Sequence, residues 1–115
     1  MNNKIIAKSF QDIELAYLYS KCSGIIFLSI YEGFGMPIVE GLKFGKPVLT
    51  SNIGVMKEIG AEFCHFANPY NIEEMAYKIE ELYLRSKIPD IAKVNEEYSW
   101  ENTVKKYFEV YKKIV

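Results

Sequence analysis

Two rhythms of apolar and polar positions run along this chain. Residues 5–7 and 25–28 are short continuous apolar runs, and 47–50 and 62–66 are largely apolar ones. Runs of that length predict strands, and a continuous run suits a strand buried on both faces of a parallel sheet. Between the runs the period changes to that of a helix. Leu15, Leu18, Tyr19 and Cys22 repeat at i, i+3, i+4 and i+7, predicting a helix that begins at Gln11 or Asp12 and stops at Gly24. About one helical turn is expected over 55–59. Ile72, Met75, Ala76, Ile79, Leu82 and Tyr83 outline an amphipathic helix, with Asn71 and Glu74 spaced as a capping box. Pro89 separates it from a weaker helix reaching about Tyr98. Ser99 then caps a last helix carrying Trp100, Val104, Phe108 and Tyr111. Alternating strand and helix predicts an α/β fold with about four parallel strands and flanking helices, residues 1–115 forming one domain.

The most informative stretch is 24–50, which reads as strand, tight glycine loop, short helix, strand. Gly33 and Gly35 bracket Phe34, and glycine lets a backbone adopt positive φ or lie close to a ligand. Pro37 suits the first helical turn; Gly45 and Pro47 suit its end. The loop therefore brings the unpaired N–H groups of a helix N-terminus to the carboxyl end of a strand, where anions bind. Glu32 and Glu40 frame the loop. Carboxylates repel phosphate but accept hydrogen bonds from paired hydroxyls. The combination suggests a ligand containing phosphate, ribose and sugar. Phe34 reads equally as a ligand contact or as packing beneath the loop. Thr50 and Ser51, at the end of the next strand, read as contacts to base or phosphate or as plain turn formers.

Composition narrows the picture. The chain has 115 residues, 50% hydrophobic and 25% charged, as expected for one globular domain. A net charge of −1 gives no global reason to bind nucleic acid. There is no signal peptide pattern, and no apolar run approaches the length of a membrane span. Cys22 and Cys64 are read as buried free thiols in a reducing cytosol. His65 is read as an ordinary core or surface histidine. No cluster of His, Cys and Asp has metal-ligand spacing, so neither metal nor cofactor is expected.

The segment Glu32-Gly33-Phe34-Gly35-Met36-Pro37-Ile38-Val39-Glu40 resembles the E-x7-E signature of retaining glycosyltransferases of GT-B fold, the family 4 or group 1 enzymes. Leu15, Leu18 and Tyr19 are similar to that family's Leu-x-x-Leu-Tyr helix, the segment from Gly45 to Ser51 to its Gly-x-Pro-Val strand, Gly54 to Glu58 to its glycine-rich turn, and Tyr98-Ser99-Trp100-Glu101 to its tail motif. The resemblance implies a partial, Rossmann-like C-terminal domain that binds a nucleotide diphosphate sugar without a metal. It implies Glu32 beside the transferred sugar as the catalytic residue. It also implies the backbone of Gly33, Phe34, Gly35 and Met36 on sugar and phosphate, Glu40 on the ribose hydroxyls, and Thr50 and Ser51 as further donor contacts.

Three departures accompany the resemblance. Gly54-Val55 stands where the family has two glycines, and Leu28-Ser29 where it has Pro-Ser. The family's Arg and Lys against the diphosphate have no counterpart. Two strands that would lie between 5–7 and 25–28 are also missing, so residues 5–7 are expected to pair directly beside 25–28, or a second copy of the chain to cover that edge. The implied function is the donor half of an enzyme that transfers a hexose to a glycan or lipid-linked acceptor. That points to polysaccharide biosynthesis in the cytoplasm, with a first, acceptor domain as partner and the inner membrane face as a further location. The alternative is an inactive remnant that binds nucleotide weakly or dimerises. Residues 99–115 would be the helix that crosses to the first domain. Their lysines read as a solvated face or as a membrane-surface contact.

Overall fold

Strand β2 (Val48–Ser51) is the centre of the molecule, and every one of its residues is buried. The structure, a computed structural model, describes residues 5–115. β2 pairs in parallel with β1 (Ile25–Phe27) on one side and β3 (His65–Ala67) on the other. Three helices are threaded between or before the strands: α1 (Asp12–Lys21), α2 (Met36–Lys43) and α3 (Gly54–Gly60). Three more follow: α4 (Ile72–Arg85), α5 (Ile91–Glu97) and α6 (Trp100–Ile114).

Successive residues of a strand face opposite sides of a sheet, and β2 divides the core accordingly. Val48 joins Ile38, Leu42, Met56 and Val94 in the larger cluster, built from α2, α3 and α5. Leu49 joins Ala67 and Leu82 on the other face, beneath α4, with Leu28 and Met75 against them. Helices therefore cover both faces, as a parallel sheet requires. α2 approaches the sheet closely because residue 41 is glycine. A Cβ there would lie 2.8 Å from Ile25 Cγ1 and 3.0 Å from Val48 Cγ2.

The number of strands is three among the described residues, not four. Residues 5–7 form no strand, and Ile5 and Ile6 are 94% and 63% exposed. The expected pairing beside 25–28 is absent, so β1 is an edge of the described sheet. The physical reason is length. Two isoleucines and an alanine, followed by Lys8 and Ser9, bury too little area to offset the entropy of ordering an added strand. The expected strand over 62–66 shifts to His65–Ala67, because residues 61–64 form the turn that leaves α3. The capping expectation at Asn71 is half met. Its side chain accepts from the Glu74 N–H at 3.0 Å, but the Glu74 carboxylate accepts from Asn68 N–H instead. Ser99 caps α6 through Asn102 N–H at 3.0 Å.

Candidate functional site

The glycine loop leaves the carboxyl end of β1 and enters α2. Gly35 is the N-cap of that helix and has φ 88°, the left-handed region that a side chain disfavours. A Cβ at Gly35 would meet Ile38 and Phe27, so Phe27 lies beneath the loop. Phe34, at 42% exposure, stands at its surface. Gly33 is exposed, with open space where a side chain would stand. Pro37 has no N–H, and Ile38 N–H donates to Gly35 O at 3.0 Å. The amides of Gly33, Phe34, Gly35 and Met36 donate to no described acceptor outside regular secondary structure. Four successive amides at a helix N-terminus and strand end are an arrangement able to receive an anion.

The two glutamates are held by different elements. Glu32 is half-buried at the β1 exit, where Ser29 Oγ lies 3.0 Å from its Oε1. Glu40 lies in α2, and its Oε2 accepts from the Tyr19 hydroxyl of α1 at 2.8 Å. Tyr19 is buried, and its ring stacks on Phe44 with centroids 5.4 Å apart. Burial, and then the Glu40 carboxylate, raise the Tyr19 phenol pKa far above its ordinary value. Thr50 and Ser51 are fully buried. Thr50 Oγ1 donates to Phe27 O at 2.8 Å and Ser51 Oγ to Ser29 O at 2.6 Å. Both hydroxyls thus brace the end of β2 against β1 and its exit, and Ser51 does so at Ser29, the residue beside Glu32.

Other polar groups lie apart from this loop. A groove of about 550 Å³ is lined by Glu58, Glu62, Phe63, Lys93, Tyr98 and Lys106 among others, between the α3 turn and the last two helices. Its acidic rim is unsuited to a phosphate. Among the described residues no three His, Cys, Asp or Glu side chains converge as a metal site. Cys22 and Cys64 are free and half-buried, and burial pushes the Cys64 thiol up to about 12. Lys43 lies in the last turn of α2 and Lys46 beyond it, at the opposite end from the loop amides.

Comparison with known proteins follows the same stretch. The profile of the family described as glycosyl transferases group 1 matches residues 1–98. The chain belongs to this family. It is 29% identical over 106 residues to O-antigen chain mannosyltransferase B of Escherichia coli, covering 88% of the chain and 28% of that protein. It is 35% identical over 99 residues to the serotype-specific mannosyltransferase WbdA of Escherichia coli, covering 80% and 12%. It is 33% identical over 114 residues to the uncharacterized glycosyltransferase MJ1178 of Methanocaldococcus jannaschii, covering 93% and 32%. The chain thus spans less than a third of the length of these relatives.

Within this group 1 domain, the structure places Glu32 and residues 33–35 on one continuous loop, with Met36 opening the helix that follows and Glu40 one turn into it. Sequence reasoning assigned no role to Tyr19, Ser29 or Gly41. Tyr19 carried the one available signal, because a tyrosine on a buried helix face needs a partner for its hydroxyl. The partner itself comes from another helix and is invisible to periodicity. No described helix is long and apolar enough to cross a membrane.

Proposed function

We propose that this chain is the donor-binding part of a retaining glycosyltransferase that uses a nucleotide diphosphate sugar. The observation carrying the reading is the run of four amides from the loop into the first residue of α2, Gly33 to Met36, with no described acceptor and set between Glu32 and Glu40. In this reading the amides and the α2 N-terminus hold the distal phosphate. Glu40 accepts from the ribose, and Glu32, with Ser29 Oγ 3.0 Å from its Oε1, faces the sugar, where its charge favours a developing oxocarbenium ion. Thr50 and Ser51 serve the donor indirectly, by holding the strand ends from which the loop springs. No metal is invoked; amides and helix dipole carry the anion. Because Lys43 and Lys46 sit at the far end of α2, the described loop offsets only part of a diphosphate's charge. The chain by itself is then a weak binder, and transfer requires an acceptor domain. Mannosyl transfer, named for two of the relatives, in O-antigen chain synthesis, named for one of them, is the corresponding proposal for the sugar and pathway.

The test is an NMR titration of the full chain with UDP, GDP and their sugars, repeated on Glu40→Gln. Donor binding requires shifts concentrated at residues 32–40 and an affinity about tenfold lower in E40Q, the loss expected for one charge-assisted hydrogen bond. Undisturbed amides at Gly33 and Gly35 at millimolar nucleotide would sink the reading.

A further inference from the structure

Glu40 would be an ordinary helix glutamate but for its contact with α1. The Tyr19 hydroxyl donates to Oε2 at 2.8 Å, leaving Oε1 without a described hydrogen-bond partner. Tyr19 is in turn held by its ring. Its ring stacks on Phe44 at 5.4 Å and 20° between planes, one turn beyond Glu40. The first turn of its helix is closed locally, the Glu14 carboxylate accepting from the N–H of the N-cap Gln11 at 3.0 Å. A glutamate has three rotatable side-chain bonds, and an unrestrained one loses that freedom when it takes a ligand. A glutamate already held by one oxygen has lost much of it before the ligand arrives, which favours binding.

We propose that Tyr19 is a positioning residue that fixes the Glu40 carboxylate so that Oε1 is presented to a ribose diol. The proposal rests on the reading that Glu40 faces the ribose. It assigns to α1 a part in donor selection: the phenol occupies one oxygen, and the other is left to choose a ligand with a hydroxyl in place. A tyrosine that merely joined α1 to α2 would stabilise the domain and have no effect on which nucleotide binds.

The experiment compares wild type and Tyr19→Phe, which keeps the ring and its Phe44 stack. Both are titrated by NMR with UDP and GDP, and with 2′-deoxy-UDP and 2′-deoxy-GDP. Wild type is expected to favour the ribonucleotides by about tenfold, the scale of one hydrogen bond to a charged group. Y19F is expected to cut that ratio to about two- or threefold by weakening ribonucleotides alone. An equal loss for ribo and deoxy forms, or an unchanged ratio, overturns the role of Tyr19 while leaving donor binding intact. Failure of wild type to bind any of the four overturns donor binding itself, and this inference with it. Should Y19F fail to fold, wild type with ¹³C-labelled tyrosine rings gives the answer, Tyr19 being assigned through E40Q. Ribonucleotides must then move the Tyr19 resonance further than deoxynucleotides, and equal movement overturns the proposal.

Discussion

Gly41 sets how closely α2 lies on the sheet, and through α2 it sets the place of Glu40. The contacts a Cβ would make, 2.8 and 3.0 Å, are to the Ile25 and Val48 side chains, which are themselves packed in the core. Gly41→Ala gains helix propensity but overpacks this contact, and the second effect is larger. The expected outcome is a loss of about 1–3 kcal/mol, read as a lower urea midpoint with an unchanged slope. Burial raises the Cys64 thiol from 9.0 to about 12, so the unfolded chain ionises first as pH rises. The contribution is complete below about pH 9 and is lost as pH climbs towards 12. Cys64→Ala should remove the part of the alkaline loss that begins near pH 9, measured as urea midpoint against pH. Tyr19 and Tyr98 are raised too, chiefly by burial, and leave a further alkaline loss in the variant.

At the scale of elements, helices were more legible than strands. The apolar spacing of α4 and α6, the Pro89 break and the Ser99 cap all appear where the residues place them. Helix order is local: it depends on side chains three and four positions apart and on caps within one turn. Asn71→Ala removes the acceptor of Glu74 N–H and should cost about 1 kcal/mol, seen as a lower thermal midpoint with helical circular dichroism otherwise intact. Strands depend on a partner far away in sequence. Residues 5–7 have strand-like composition and no ladder, while His65–Ala67 is a strand because β2 lies beside it. The glycine loop was legible for the same reason as the helices. Gly35, Pro37 and Gly45 state a local backbone geometry, and Gly35 adopts the positive φ that its residue type allows.

At the scale of the molecule, the described core is small and one helix stands outside it. α6 has no buried residue, and Trp100, Val104, Phe108 and Tyr111 are each at least 60% exposed. The family profile ends at residue 98, before this helix. Its lysines are partly matched: Lys105 lies 3.3 Å from Glu101, Lys112 3.3 Å from Glu109 and Lys106 2.6 Å from Glu97. Such exposed pairs contribute about 0–1 kcal/mol each. Tyr98, by contrast, reaches Ile59 O at 2.6 Å and packs edge-on against Phe63. Removing residues 100–115 should therefore lower stability by only about 1 kcal/mol, while a truncation that also takes Tyr98 should unfold far more readily. Urea titrations of the two shortened chains check this. Binding of an apolar dye should fall in the first, since the exposed apolar stripe of α6 is gone.

By itself the sequence determined the α/β alternation, the helix limits within a residue or two, and the glycine loop between Glu32 and Glu40. Each of these is written in neighbours along the chain. Tertiary structure alone decided that Tyr19 holds Glu40, and that Thr50 and Ser51 spend their hydroxyls on the exit of β1. It also decided that three described strands, not four, make the sheet. The reason is common to all of them. A hydrogen bond or a ladder needs a partner brought near by the fold, and periodicity records only the face a residue turns inward, not what it meets there.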